Sequence, residues 1–157
     1  VAEVRCAVLT VSSSRAAGSG EPDGSGDYVV EHLQDRGWHV IRRGLVADDV
    51  DAIRDALDVA GLDLVVLTGG TGIGAGDVTP EAVRPLLDRE LPGMAEAMRA
   101  AGLRNTPHAM LSRQLAGVIG HTLVLALPGS TGACRDCLCA VDAALEHAIA
   151  LGGGEHR

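Results

Sequence analysis

The sequence predicts an α/β protein three layers deep (α/β/α), with helices on both faces of a mostly parallel sheet that has one antiparallel strand. Three observations lead there. Short β-branched or apolar runs alternate along the chain with stretches of helical periodicity. The run "LDLVVLT" (62–68) is apolar on both faces, as parallel strands covered on both sides are. "AGVIGHTLVLALPG" (116–129) reads as a hairpin leading into another buried strand, which supplies the antiparallel pair.

The elements follow in order. "VRCAVLTV" (4–11) is the first strand, and the Gly/Ser-rich stretch "SSSRAAGSGEPDGSG" (12–26) follows as a loop. A helix near 27–36 is closed by Gly37, and "WHVIRRGLV" (38–46) is the second strand. "DDVDAIRDALDVAG" (48–61) sets Val50, Ile53, Leu57 and Ala60 on one helical face, with Gly61 as its end. After the strand at 62–68, Thr79 and Pro80 are expected as N-cap and N1 of the next helix, which Pro85 should kink or divide. A further helix runs from Gly93 to Ala101, and the last, about 133–151, aligns Leu138, Val141, Leu145 and Ile149. There is no internal repeat or linker, so a single domain over 1–157 is expected.

Composition narrows the chemistry. All thirteen basic residues are arginine, which removes a P-loop lysine, a lysine Schiff base and a pyridoxal-phosphate anchor. The pattern G-x-S-x-G is missing, so no hydrolase-type nucleophile elbow is expected. A net charge of −8 argues against a nucleic-acid partner. No apolar run approaches the roughly 20 residues that span a bilayer. The opening "VAEVRCAVLTV" reads as a first strand rather than a signal peptide, and the expected location is the cytoplasm.

Three strand ends carry hydroxyls and glycine: "LTVSSS", "LTGGTG" and "LPGSTG". In a parallel sheet the ligand sits outside the carboxyl ends of the strands, so these three would form one polar pocket. Five glycines within residues 69–76 let backbone approach a ligand closely. "GTGIGA" (70–75) fits a dinucleotide fingerprint on paper, but the helix signals begin only at Thr79, and a cradle of amides for phosphate or another anion fits better. Asp77 either favours the helix dipole or holds Mg²⁺ against substrate phosphates. Asp48 either caps its helix or enters the pocket as a second acid. Cys134, Cys137 and Cys139 stand near a helix start, where thiol pKa values fall, but without a fourth ligand at ordinary zinc spacing they read as packing residues. The six histidines are scattered and read as structural or surface groups.

"LTGGTGIGAGDVTPEAV", "DRELPGMAEAMR", "AMLSRQLAGVIG" and "LVLALPGSTGA" together resemble the molybdopterin-binding family typified by bacterial Mog and MoaB proteins. The same domain occurs in gephyrin and plant Cnx proteins. The resemblance covers nearly the whole chain, from "AVLTVSSSR" to the last helix, in order. It implies a homotrimer of this α/β fold in molybdenum cofactor biosynthesis. Its enzymatic members use ATP and Mg²⁺ to adenylylate the terminal phosphate of molybdopterin, releasing pyrophosphate, with possible hand-over to a molybdate-inserting protein. On this resemblance the paired catalytic and metal-binding acids are Asp48 and Asp77, and the binding pocket falls on Thr68, Gly69, Gly70, Thr71, Gly72, Ser112, Pro128, Gly129 and Ser130. Family members often carry an acid in the first loop, where this chain has Ser14. The chain has the length of MoaB-type members, and the alternative to adenylylation is a non-catalytic molybdopterin-binding or scaffolding protein.

Overall fold

The structure, a computed structural model, describes residues 3–153. Val1 and Ala2 of the opening stretch, and residues 154–157 of the expected single domain, lie outside the described residues. Six strands form one sheet: β1 (Arg5–Val11), β2 (His39–Val46), β3 (Leu64–Thr68), β4 (Arg89–Glu90), β5 (Leu115–Ile119) and β6 (Thr122–Leu127). Their order is β2-β1-β3-β6-β5-β4. The first four in that order run parallel, and β5 lies antiparallel to both neighbours. This is the expected sheet, with the two-residue strand β4 added at one edge.

The helices are α1 (Ser13–Ala16), α2 (Gly24–Asp35), α3 (Val50–Ala56), α4 (Thr79–Val83), α5 (Pro92–Leu103) and α6 (Thr131–Gly152). Strand alternation divides the core in two. Cys6, Val8, Leu64, Val66, Leu123 and Leu125 face one way, onto Val29 and Leu33 of α2, Met98 of α5 and the stripe Leu138, Val141, Leu145, Ile149 of α6. Ala7, Leu9, Val65, Leu67, Val124 and Ala126 face the other way, onto Ile53 of α3 and Ala82 and Val83 of α4. That is why β3 and β6 are apolar at every position but their hydroxyl-bearing ends: each is buried on both faces. A fully buried Leu or Val of this kind contributes about 1.5–3 kcal/mol of transfer free energy.

Several boundaries differ from the sequence reading, each through a side chain that competes with or completes the backbone pattern. Helix α2 begins at Gly24, inside the expected loop, because the Asp23 carboxylate caps it by accepting the Gly26 N–H at 3.0 Å. Helix α3 is shorter than 48–61 and is capped by Asp49, whose Oδ1 accepts from Ala52 N–H at 2.8 Å, not by Asp48. It stops at Ala56 because residues 57–62 turn instead: Asp58 Oδ1 accepts the Ala60 N–H, and the Thr122 hydroxyl reaches the carbonyls of Val59 and Leu62. Thr79 is not the cap of α4. Val78 holds that position, and the buried Thr79 hydroxyl donates to Gly69 O at 2.8 Å. Pro85 does divide the helix, which continues as a 3₁₀ turn over Arg84–Leu86.

Candidate functional site

β1 and β3 are neighbours whose following connections leave for opposite sides of the sheet, and β6 adjoins β3. The three polar strand ends are therefore contiguous at a topological switch point, where α/β sheets place their ligands.

The loop after β3 is shaped by glycines that nothing else could replace. Gly69 and Gly70 have φ of +99° and +69°, and a Cβ on Gly69 would strike the Val11 carbonyl. A Cβ on Gly70 would collide with the Thr79 hydroxyl and lie 3.2 Å from Asp48 Oδ1. The loop is sewn to its surroundings: Gly69 N–H donates to Leu127 O at 2.9 Å, and Thr79 N–H to Gly70 O at 3.0 Å. Gly129 lets the β6 end approach, its Cβ position being 3.3 Å from Gly69 Cα.

Asp77 closes the far end. Its Oδ2 accepts the Gly74 N–H at 2.9 Å and lies 2.7 Å from where a Cβ on Gly72 would be. Arg113 then fastens the whole loop from the other side. Its backbone N–H donates to Thr71 O at 2.7 Å, Nε to Gly72 O at 2.9 Å and one Nη to Asp77 O at 2.8 Å. The other Nη pairs with the Glu81 carboxylate, and that hydrogen bond holds Glu81 below the usual carboxylate range.

Asp48 approaches from the β2–α3 connection. Its Oδ2 accepts the Ser13 N–H at 3.0 Å and the Ser13 hydroxyl at 2.9 Å, and its own N–H donates to Ser13 Oγ at 2.9 Å. Ser13 therefore orients Asp48, and the Ser14 hydroxyl lies 3.4 Å from Ser12 Oγ.

Gly70, Thr71, Gly72, Asp77, Ser112, Pro128, Gly129 and Ser130 line one open cleft of about 630 Å³. The Thr71 and Ser112 hydroxyls are 3.2 Å apart within it, and Ser130 Oγ caps α6 by accepting the Ala133 N–H. Gly69 lies behind this wall, against Val11 and Gly129. Thr68 does not reach the cleft: its side chain is fully buried, with its hydroxyl 2.7 Å from Ser25 Oγ. Asp48 stands at Gly70 from behind the loop. His108 lines the cleft, and Arg99, Arg113 and Ser13 hold its surroundings in place. None of the four is given a role in the site by sequence reasoning, although Arg99, Arg113 and Ser13 stand inside the quoted motifs.

Each acid has one oxygen tied to backbone N–H and one, Oδ1, that accepts no hydrogen bond among the described residues. Asp77 lines the cleft and Asp48 does not, and each offers one unpaired carboxylate oxygen of the kind Mg²⁺ takes beside water and substrate phosphate.

The cysteines are placed differently from one another. Burial pushes the Cys134 and Cys137 thiols up to about 12, opposite to the lowering expected near a helix start. Cys134 donates to Pro128 O at 3.2 Å, so it packs beneath the cleft wall, whereas Cys139 is exposed. His32 is not isolated either: its Nε2 is 2.8 Å from Asp142 Oδ1.

Comparison with known proteins agrees with this architecture. Residues 7–147 match the family described as "Probable molybdopterin binding domain". Molybdenum cofactor biosynthesis protein B of Bacillus subtilis (strain 168) is 41% identical over 139 residues, covering 84% of this chain and 79% of that protein. The crystal structure of the molybdopterin biosynthesis enzyme MoaB from Thermus thermophilus superposes with a TM-score of 0.89 at 44% identity, covering 96% and 97% of the two chains. The molybdopterin biosynthesis Mog protein from Mycobacterium ulcerans superposes with a TM-score of 0.86 at 36% identity, covering 96% and 99%.

Proposed function

Because this chain belongs to the molybdopterin-binding family of MoaB- and Mog-like proteins, we propose that it acts in molybdenum cofactor biosynthesis as a Mg²⁺-dependent molybdopterin adenylyltransferase. One observation carries the proposal beyond binding: Asp48 and Asp77 bracket the glycine loop, one at Gly70 and one at Gly72 and Gly74.

The chemistry asks little of the protein in acid–base terms. An oxygen of the pterin's terminal phosphate, already anionic, attacks the α-phosphorus of ATP. The bond to the β-phosphate bridging oxygen breaks, and pyrophosphate leaves with the electron pair. Catalysis is then positioning and charge stabilisation. The loop amides and the Thr71, Ser112 and Ser130 hydroxyls hold phosphate oxygens in the cleft. Asp48 and Asp77 would hold Mg²⁺ through their free oxygens; the ion would offset triphosphate charge. Arg113 spends its donors on Gly72, Asp77 and Glu81, so it keeps the loop in shape rather than reaching for substrate. The family resemblance further supports a homotrimer in the cytoplasm that hands its product to a molybdate-inserting protein. No helix among the described residues is long and apolar enough to cross a membrane.

A second reading, a non-catalytic molybdopterin carrier or scaffold, has one observation in its favour. Asp77 already has structural work, closing the loop through the Gly74 N–H, which a pure binder would also need. Mixing the chain with molybdopterin, ATP and Mg²⁺ separates the two. Pyrophosphate release that requires both substrates is the expected result; binding of the pterin with no release supports the carrier.

A further inference from the structure

Beside the glycine-loop cleft lies a second cavity of about 440 Å³, and the two share His108, Ser112, Pro128 and Ser130 as a common wall. The second cavity is mostly apolar. Its base is formed by two sulfur-bearing side chains, Met98 and Cys137, both almost fully buried. Soft sulfur contacts of this kind suit the face or edge of a flat heteroaromatic ring. Gly132, in the first turn of α6, leaves the opposite side open, since a Cβ there would meet nothing within 4 Å.

One residue of this cavity is energetically out of place. Gln114 is 4% exposed, and its Oε1 is buried with no hydrogen-bond partner among the described residues. Its Nε2 is committed to Cys137 Sγ at 3.8 Å. The backbone on either side is held by Arg99, whose guanidinium donates to the carbonyls of Ser112 and Gln114. A buried unpaired acceptor is destabilising, and retaining one in a cavity wall makes sense if a ligand supplies the donor.

Resting on the molybdopterin reading above, the geometry points to Gln114 as the residue that selects the pterin ring, by accepting an N–H from its 2-amino-4-oxo pyrimidine edge. The phosphate end then lies in the adjoining glycine cleft. The other polar group deep enough to help, the half-buried Asp136 carboxylate, is also an acceptor. The Ser130 and Thr106 oxygens already accept backbone N–H groups. Two acceptors deep in the cavity, Gln114 Oε1 and the Asp136 carboxylate, favour the pterin edge, where the amino group and the ring N–H stand side by side. Adenine offers a single amino group flanked by bare ring nitrogens, which would face acceptors. Gln114 lines the cavity, and its terminal χ is a broad, soft torsion about which Oε1 turns toward a bound ring.

The test uses the full chain with two probes, 6-hydroxymethylpterin followed by its fluorescence and AMP followed calorimetrically. Gln114→Met keeps the size and removes the acceptor. It should weaken pterin binding about tenfold, leave AMP binding within about twofold, and raise the unfolding midpoint because an unpaired buried acceptor is gone. Gly132→Leu fills the open side of the cavity from a helix position and should abolish pterin binding in a folded protein. If both variants bind pterin like the unaltered chain, the assignment is overturned while molybdopterin binding stands. If instead AMP binding is lost and pterin binding kept, the cavity is an adenine site and the assignment is again overturned. An unaltered chain that binds neither the pterin probe nor molybdopterin removes the function on which the inference rests.

Discussion

Asp48 and Ser13 hold each other by three hydrogen bonds: Oδ2 of the acid accepts both the N–H and the hydroxyl of Ser13, while the Asp48 N–H donates to Ser13 Oγ. This exchange pins the β2–α3 connection to the loop after β1 and turns Asp48 Oδ1 toward Gly70. Ser13→Ala removes the hydroxyl as both donor and acceptor but keeps the backbone N–H. It should cost about 1 kcal/mol of stability and slow pyrophosphate release severalfold without changing molybdopterin affinity. Asp48→Asn should slow release further, about tenfold, a loss of roughly 1.4 kcal/mol of transition-state stabilisation. Steady-state pyrophosphate assays alongside chemical denaturation check both.

Arg113 makes one backbone and three side-chain bonds to the segment from Thr71 to Glu81. Arg113→Ala frees the carbonyls of Gly72 and Asp77 and leaves Glu81 unpaired. Its expected effect is a looser glycine loop, seen as faster amide hydrogen exchange at residues 70–77, with affinity and turnover falling together. Arg113→Lys should not restore either, because an ammonium cannot reproduce the planar fork that spans two carbonyls and a carboxylate.

Acid stability is expected to depend on Asp23. Burial would raise its pKa, but hydrogen bonds from the Thr10 hydroxyl, the Gly26 N–H and Arg43 outweigh that and hold it below the ordinary aspartate value. A depressed carboxylate stabilises the fold above its unfolded pKa, and that contribution is lost as pH falls through the lowered folded value. Asp23→Asn should therefore be less stable than the parent at pH 7. The gap should begin to narrow below about pH 4, where Asp23 of the unfolded parent takes up a proton, and close as pH falls through the lowered folded value. Denaturation midpoints between pH 2 and 7 check the slope.

Thiol labelling should separate the cysteines by burial. Cys6, Cys134 and Cys137 are buried, with pKa values pushed up to about 12, while Cys139 is exposed. A thiol held protonated and out of contact with solvent is a poor nucleophile. Native alkylation at pH 8 should modify Cys139 alone, the other three reacting only after unfolding. Mass mapping of the labelled peptides checks this.

The parts of this molecule legible in sequence are those set by periodicity and by punctuation. The two-faced run at 64–68, the α6 stripe from Leu138 to Ile149 and the Gly120–His121 hairpin turn all carry local patterns that the tertiary fold obeys. What escaped are features decided by partners distant in sequence. Helix α3 ends early because Thr122, some sixty residues away, takes the Val59 and Leu62 carbonyls. Thr79 resembles an N-cap, yet its hydroxyl is drawn to Gly69 O by the return of the glycine loop. Thr68 belongs to the strand-end motif, but strand alternation turns its side chain into the core against Ser25. Arg113 and Gln114 adjoin the motif residue Ser112, and only the fold shows one binding the loop and the other facing the cavity with an unpaired oxygen.

Asp77 is expected to serve phosphoryl chemistry as well as the loop, and transfer of label from ATP reads the difference. With ATP labelled at the α-phosphorus, molybdopterin and Mg²⁺, the unaltered chain should form a labelled adenylyl-pterin. Asp77→Asn, folded and binding molybdopterin nearly normally, should form it about a hundredfold more slowly, the usual loss of one preorganised electrostatic contact. Equal rates of label transfer by the two proteins would contradict the account and leave Asp77 as the residue that closes the loop on Gly74.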